Sequence, residues 1–343
     1  MSVDEEFSAT LKRLVSGARL DAEESGRAFS AIMLGEVTQA RMAAFLTALT
    51  MRKPTVEEVV GAVRAMRAAM QTIRAPENAI DLCGTGGDGL GTLNVSTAAA
   101  FVVAACGVPV AKHGNRNMSS RTGTADVLEQ LGVKIDLDPK ASEDCLSETG
   151  FCFLFAPAYH SAMRHVAPVR REIGFRTVFN LIGPLSNPAG VNYQLMGVFA
   201  EEWIEPLAHV LAELGTKRAW LVHGADGIDE ISIAAPTHVA VLDNGVVTRR
   251  EVAPEDAGIA RATLSTIEGG NASDNAQAIR LLLAGEPSPF RDIVLLNATA
   301  ALVIAGKADD LKSGTALAAD AIDAGRAEDV LARVVAFSSR AVS

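Results

Sequence analysis

Apolar residues in the first seventy positions recur with the spacing of helices. Met42, Phe45, Leu46 and Leu49 stand at positions i, i+3, i+4 and i+7, which places their side chains on one helix face. No strand-like alternation of apolar and polar residues interrupts this part of the chain. The pattern predicts a small all-helical domain.

Two polar pairs mark predicted helix starts in the same region. Glu24 follows three residues after Asp21, and Glu58 follows three residues after Thr55. This is the capping-box spacing, in which the two residues satisfy each other's free backbone amides. Pro54 ends the preceding element, and the stretch 56–70 predicts a further amphipathic helix.

The pattern changes at Ala79, where short apolar runs begin to alternate with helical segments. The predicted strands are 79–83, 108–111, 151–155, 194–199 and 219–222, and the predicted helices between them are 96–106, 124–131 and 206–214. Strand-like pieces with a turn at 243–245 follow, and helices return from Asp274 and from Asp292. The alternation predicts a larger α/β domain with a mainly parallel central sheet.

Composition and charge exclude several classes of protein. The 343 residues carry a net charge of -10, which disfavours a surface that binds nucleic acid. The acidic N-terminus lacks the order of a signal peptide, and the apolar run 98–111 is shorter than the roughly 20 residues that span a bilayer. The four cysteines form no CxxC pair. We expect a cytoplasmic protein with reduced thiols and no membrane partner.

A glycine-rich segment follows the first predicted strand. Residues 84–88 read GTGGD, and residues 94–97 read NVST where the next helix opens. Glycines let backbone amides approach an anion, and a helix N-terminus adds free amides. The spacing fits neither a P-loop nor a dinucleotide fingerprint. On local grounds a phosphate cradle and a tight structural turn explain the glycines equally well.

A basic segment follows the second predicted strand. Residues 112–121 read KHGNRNMSSR and combine three fixed cations with hydroxyl and amide groups suited to pyrophosphate oxygens. A solvated surface loop is the alternative. We favour the binding interpretation because neighbouring strands of one sheet place this loop beside the glycine-rich segment.

An acidic pair, Asp229-Glu230, follows a later apolar run. Mg²⁺ commonly uses one or two carboxylates together with water and substrate phosphates. Two solvated loop acids explain the dipeptide better when it is taken alone, and the phosphate cradle shifts the balance toward a metal site. The sequence contains neither an HExxH zinc motif nor a nucleophile elbow.

Six motifs occur in the order typical of one family. They are GTGGD at 84–88, NVST at 94–97, KHGNR at 112–116, ADVLE-LGV at 125–133, RTVFNLIGPLSNP at 176–188 and DE at 229–230. Together they resemble the anthranilate phosphoribosyltransferase family over nearly the whole chain. The resemblance implies transfer of the phosphoribosyl group of phosphoribosyl pyrophosphate to the amine of anthranilate, in tryptophan biosynthesis.

The resemblance also implies an organisation. Residues 1–72, with roughly 160–188, would form a helical domain that dimerises and contributes to the anthranilate site. Residues 73–159 and 189–343 would form the α/β domain that binds phosphoribosyl pyrophosphate. A homodimer is implied, and Mg²⁺ is the implied cofactor, with two ions expected.

Individual roles follow from the same resemblance. Lys112 and Arg170 would act in catalysis, and Ser96, Asp229 and Glu230 would hold Mg²⁺. The implied substrate-binding positions are Gly84, Gly87, Asp88, Thr92, Asn94, Val95, Ser96, Thr97, Lys112, His113, Gly114, Asn115, Arg116, Asn117, Met118, Ser119, Ser120, Thr124 and Arg170.

The anthranilate contacts among these positions would be Gly84, Asn115 and Arg170, with Arg170 preferred over Arg171 as the partner of the carboxylate. The loop departs from the usual family pattern at 117–118 and 121–124, where the hydroxyl of Thr124 is kept. Two other functions are compatible with this architecture. They are a pyrimidine nucleoside phosphorylase and a non-catalytic paralogue that binds nucleic acid.

Overall fold

The computed structural model describes residues 2–116 and 122–341. The predicted substrate-binding positions Asn117, Met118, Ser119 and Ser120 lie outside the described residues, as does Arg121. In the described part of the chain, no helix combines the length and the apolar character needed to cross a membrane.

The N-terminal region is helical, as predicted. Its helices are α1 (Val3–Val15), α2 (Ala22–Met33), α3 (Gln39–Arg52) and α4 (Val56–Ala68). Both predicted capping boxes are present. The Glu24 amide donates to Asp21 Oδ1 over 2.8 Å, and the Thr55 amide donates to Glu58 Oε2 over 2.8 Å. These bonds start α2 and α4 where the sequence places the pairs.

The α/β domain is built on a seven-stranded sheet with the order β3-β2-β1-β4-β5-β6-β7. The strands are β1 (Ile80–Gly84), β2 (Val110–Gly114), β3 (Phe151–Phe155), β4 (Tyr193–Gly197), β5 (Arg218–Gly224), β6 (Thr237–Asp243) and β7 (Val246–Val252). Strands β1 to β5 are parallel, and β6 and β7 add an antiparallel hairpin. The predicted fold class is therefore confirmed.

Eleven further α-helices complete the described chain. They are α5 (Val95–Ala105), α6 (Thr124–Gln130), α7 (Pro139–Thr149), α8 (Ala156–Tyr159), α9 (Ala167–Ile173), α10 (Val178–Ile182), α11 (Ile204–Glu213), α12 (Ala272–Leu283), α13 (Pro289–Ile304), α14 (Leu311–Asp323) and α15 (Arg326–Ala341). Helices α5, α13 and α15 cover one face of the sheet, and α11 covers the other, where it also packs on α4. Helix α7, which the apolar pattern did not reveal, leads into β3.

The segment between β3 and β4 leaves the sheet and packs on the helical layer. Helix α9 contacts α3, and α10 contacts both α3 and α4. The Phe179 ring of α10 lies edge-on to Phe29 of α2, with 5.8 Å between the ring centroids. The chain therefore visits the helical layer twice before it returns to the sheet.

The sheet has a topological switch point between β1 and β4. From β1 the chain continues to β2 on one side, and from β4 it continues to β5 on the other. Ligands of open α/β sheets bind where the connections diverge in this way, at the carboxyl ends of the strands. The loops after β1 and after β5 both reach this position.

The second strand extends further than its apolar pattern predicts. Lys112, His113 and Gly114 belong to β2 rather than to the loop after it. The Lys112 side chain is only 1% exposed, which is unusual for lysine. Its amine donates to the backbone oxygen of Leu82 and to Ser96, so the strand continues through a polar residue whose charge is hydrogen-bonded.

A buried ion pair fixes the helical layer. Glu58 is 1% exposed, pairs with Arg52 and also accepts from the Leu20 amide over 2.8 Å. A carboxylate removed from water in this way requires its partners, and each partner requires the carboxylate. Glu58 therefore joins the end of α3 to the start of α4.

We expect Glu58→Gln to lower the free energy of unfolding by about 3 kcal/mol, because it leaves the Arg52 charge buried without its partner. Urea unfolding measures the change. Glu57→Gln, at the exposed neighbouring position, is the control and should change stability by less than about 0.5 kcal/mol. Equal stabilities of the two variants would contradict the prediction.

Candidate active site

Two glycines allow a carboxylate loop to lie on the ends of β1 and β4. Gly84 and Gly197 are paired across these strands, and Asp229 lies above both. A Cβ at position 84 would lie 3.0 Å from Asp229 Oδ2, and one at position 197 would lie 1.6 Å from the Asp229 backbone oxygen. The Gly86 amide donates to Asp229 Oδ2 over 3.0 Å. The glycine-rich loop and the acidic pair therefore meet.

A chain of contacts joins the acidic pair to the buried lysine. The Ser96 amide, in the first turn of α5, donates to Glu230 Oε1 over 3.1 Å. The Lys112 amine donates to Ser96 Oγ over 3.2 Å. Loops that are far apart in sequence thus converge at one edge of the sheet, as predicted.

The carboxylates of this site repel one another. Burial raises the pKa of Asp229 to about 7, and the neighbouring charge of Asp88 contributes in the same direction. Burial also raises the pKa of Glu230 to about 8, with Asp229 contributing in the same direction and Lys112 opposing. Such a pair is suited to a divalent cation, which would neutralise it. Among the described residues, no group of three or more His, Cys, Asp or Glu side chains is placed to hold a metal ion.

The remaining residues of the predicted cradle line the start of α5. Gly86, Gly87 and Gly89 have positive φ angles, a conformation that glycine adopts without strain. Asn94 Oδ1 accepts from Asn275 Nδ2 over 2.8 Å. The other predicted positions here differ in burial, with Thr92 bridged to the backbone of Glu268, Val95 in the core, and Thr97 buried 3.5 Å from Thr124.

The described residues at the end of β2 and directly after it differ in their contacts. Gly114 ends the strand, where a Cβ would lie 2.9 Å from the Phe153 ring, and Asn115 is exposed. Arg116 forms ion pairs with Asp126 and Glu129 of α6. Its guanidinium is thus engaged with α6, and its contact with substrate stays a prediction.

The structure distinguishes the two adjacent arginines of α9. Arg170 is partly buried, and burial lowers its pKa. It donates to Asn180 Oδ1 over 3.2 Å and lies over the Phe179 ring. Arg171 is exposed. Burial is the one cause of this lowered pKa and no carboxylate of the described residues opposes it, so the Arg170 charge is available to an anionic ligand.

One cation beside the site was not predicted. Arg176 donates to the backbone oxygen of Gly87 and stacks on the Phe199 ring at 4.5 Å. It connects the segment that packs on the helical layer with the glycine-rich loop. The motif at 176–188 contains this arginine, but neither its charge nor its spacing indicates the partner.

Two buried histidines pair where β2 meets the segment after α8. His160 Nε2 and His113 Nε2 lie 3.2 Å apart, so one ring donates to the other and at least one is neutral. Burial lowers the pKa of His113 to about 3 and that of His160 to about 4. The pair is therefore neutral near pH 7 and joins β2 to the segment after α8.

Two family models together match most of the chain. The helical bundle domain of a glycosyl transferase family matches residues 8–70, and the a/b domain of the glycosyl transferase family matches residues 76–328. The chain belongs to this glycosyl transferase family. The boundary between the two matches falls where the helical pattern gives way to strands.

Relatives in the family align with this chain over nearly all of its length and of their own. Anthranilate phosphoribosyltransferase of Rhodopseudomonas palustris (strain BisA53) is 52% identical, covering 98% of this chain and 99% of its own. The enzyme of the same name from Methylocella silvestris is 54% identical, covering 96% of this chain and 95% of its own. The resemblance to this group of enzymes is confirmed.

Solved structures in the family have the same fold. Anthranilate phosphoribosyltransferase from Thermus thermophilus superposes with a TM-score of 0.92 at 44% identity, covering 96% of this chain and 99% of its own. The Saccharomyces cerevisiae enzyme in complex with PRPP and Mg gives a TM-score of 0.90 at 26% identity, covering 97% of this chain and 98% of its own.

The neutral histidine pair predicts a sensitivity to acid. Between about pH 4 and 6.5 the unfolded chain binds protons at these histidines that the native state does not, so stability falls as pH falls. His160→Gln should reduce this pH dependence by up to about 1.4 kcal/mol per pH unit in urea unfolding. His209→Gln, at an exposed position, is the control and should retain the wild-type dependence. An unchanged dependence in His160→Gln would refute the assignment.

Proposed function

We propose that this chain transfers the 5-phosphoribosyl group from phosphoribosyl pyrophosphate to the amine of anthranilate, releasing pyrophosphate. The proposal is supported by the names of its full-length relatives and by one feature of the site. A buried lysine, a helix N-terminus and two carboxylates meet beside a glycine-rich loop. These groups match a diphosphate accompanied by a divalent cation.

The reaction needs charge neutralisation more than proton transfer. An aryl amine is neutral near pH 7, whereas the departing pyrophosphate gains negative charge as the bond to ribose C1 breaks. Catalysis therefore rests on positioning and on cations placed where that charge develops. Lys112 is held in place by Leu82 and Ser96 and supplies one of them. Burial makes His113 and His160 only weakly basic, which fits a reaction that needs no strong base.

The metal would be held by the acidic pair and Ser96. Asp229 is close enough to Glu230 to raise its pKa, which fits carboxylates that share a cation. Mg²⁺ supplies electrostatic stabilisation of the leaving diphosphate when it is bound. We propose two ions, in keeping with the charge of the substrate.

The acceptor site would lie beside α9. The Arg170 guanidinium is fixed by Asn180 and has no acidic partner in the described residues, so it suits the anthranilate carboxylate. Gly84 and Asn115 would complete the contacts. The remaining predicted positions of the cradle would hold the phosphoribosyl group.

The division of the chain follows from the same proposal. Residues 1–72 with roughly 160–188 would form one domain, and residues 73–159 with 189–343 the other, with the substrates bound between them. The shared core of α9 and α10 with the helical layer supports this division. A homodimer formed through the helical domain and a cytoplasmic location are part of the proposal.

Product formation tests the function directly. Purified protein with phosphoribosyl pyrophosphate and Mg²⁺ should consume anthranilate, which is measured as a decrease in anthranilate fluorescence. This activity should be lost in EDTA. Thymidine with phosphate should give no turnover. Turnover of thymidine without turnover of anthranilate would favour the nucleoside phosphorylase, and retention of single-stranded DNA without either activity would favour the binding paralogue.

The acidic pair provides a second test. Asp229→Asn combined with Glu230→Gln should lower Mg²⁺-dependent kcat at least about 100-fold, because the metal loses its carboxylates. Circular dichroism should show an intact fold. Asp226→Asn, in the same loop but bonded to Ser232, is the control and should keep Mg²⁺-dependent turnover. Near-normal turnover in the double variant would refute the metal assignment.

The two arginines of α9 allow a matched comparison. Arg170→Ala should raise the KM for anthranilate about 30-fold or more, since a charge-assisted bond to the carboxylate is lost, with a far smaller change for the phosphoribosyl donor. Arg171→Ala should leave both KM values within about twofold. Equal effects of Arg170→Ala on both substrates would assign this residue a structural role.

A further inference from the structure

The ladder between β1 and β2 is open at the active site. Strand β1 pairs with β4 along five residues, and β2 pairs with β3 along five, but β1 and β2 share the single pair Ile80–Val110. A regular parallel ladder would next join the Leu82 amide to the Ala111 oxygen and the His113 amide to the Leu82 oxygen. We call these two missing connections the open rungs.

Side chains occupy the backbone groups of the open rungs. Asp81 Oδ1 accepts from the His113 amide over 3.1 Å, and the Lys112 amine donates to the Leu82 oxygen. Asn187 Nδ2 donates to the Ala111 oxygen and to Asp81 Oδ2, both over 2.8 Å. Three of the four groups thus have a side-chain partner where a strand would ordinarily be.

These side-chain hydrogen bonds determine where the Lys112 amine lies. If the His113 amide were free, it would close on the Leu82 oxygen and compete with Lys112 for it. Asp81 removes that competitor, and Asn187 removes the Ala111 oxygen from the other rung. We propose that Asp81 and Asn187 are positioning residues that keep these rungs open, so that the Leu82 oxygen holds the Lys112 amine beside Ser96.

The charge of Asp81 also helps to hold the Lys112 amine in place. Asp81 and Asn187 are 0% and 3% exposed, so the Asp81 carboxylate lies in a medium that strengthens its attraction for the lysine. Burial raises the pKa of Asp81 to about 6, while Lys112, Asn187 and the His113 amide lower it. Asp81 is thereby an internal counter-ion of Lys112 as well as a hydrogen-bond acceptor.

This inference rests on the proposed function for the catalytic role of Lys112. Its test is a double-mutant cycle between positions 81 and 112. Asp81→Asn should lower kcat about 10- to 100-fold, since the amine that faces the leaving group is displaced, and should leave the KM for anthranilate within about twofold. In a Lys112→Met background, Asp81→Asn should lower kcat by less than about twofold further.

A destabilised variant elsewhere separates positioning from loss of stability. Glu58→Gln also disrupts a buried carboxylate, but in the helical layer, and should retain wild-type kcat and both KM values at 25 °C. Wild-type kcat in Asp81→Asn would overturn the proposal, as would losses that multiply fully in the double variant. If Asp81→Asn does not fold, Asn187→Ala replaces it with the same expected result. Failure of both to fold would assign the two residues to folding alone and would overturn the proposal.

Thermal unfolding of the four proteins of the cycle gives a measurement that does not depend on turnover. They are the wild type, Asp81→Asn, Lys112→Met and the double variant. Each single variant leaves one charge buried without its partner, and the double variant removes both. The double variant should therefore have a higher Tm than the sum of the two single shifts predicts. Additive shifts would refute the coupling even in an active enzyme. Absence of anthranilate turnover in the wild-type protein would refute the proposed function and leave this coupling to stand or fall by the unfolding cycle.

Discussion

The site depends on a close approach between backbones at the topological switch point. Asp229 lies against the ends of β1 and β4 at a distance that a Cβ at position 197 would forbid, because that atom would lie 1.6 Å from the Asp229 backbone oxygen. With glycine at 84 and 197, the loop after β5 lies flat on the sheet edge. The carboxylates then face the amides of the glycine-rich loop and the first turn of α5. Without that approach the acidic pair and the cradle would belong to separate surfaces.

The sequence predicts those parts of this arrangement that depend on the spacing of nearby residues. The capping boxes at Asp21 and Thr55 need only residues three apart, and both are found. The glycine-rich loop and the acidic pair follow apolar runs, and parallel strands bring their carboxyl ends to one edge. The family motifs at 84–97 and 229–230 then connect the loops with a substrate. Fold class and the convergence of loops are both recoverable in this way.

The sequence does not predict contacts between residues that differ in polarity and are far apart in the chain. Lys112 looks like the start of a loop because lysine is rarely buried, yet it lies within β2. Its partner Leu82 contributes only a backbone oxygen, which no side-chain pattern reports. Asp81 and Asn187 are 106 positions apart, and no feature of the motif that contains Arg116 indicates its ion pairs with Asp126 and Glu129 of α6. Each outcome depends on which competing partner lies nearest after folding.

The distribution of buried charge explains why such a site can be built in an acidic protein with few special residues. Asp81 is a buried counter-ion of Lys112, and Glu230 is linked to the same lysine through Ser96. The Lys112 charge is thus stabilised by buried acids, whereas burial and mutual repulsion raise the pKa values of Asp229 and Glu230. Under the proposed function, a diphosphate carrying Mg²⁺ would neutralise these acids and would place its own negative charge beside Lys112. We therefore propose that the substrate and its metal together balance the buried charges of this site.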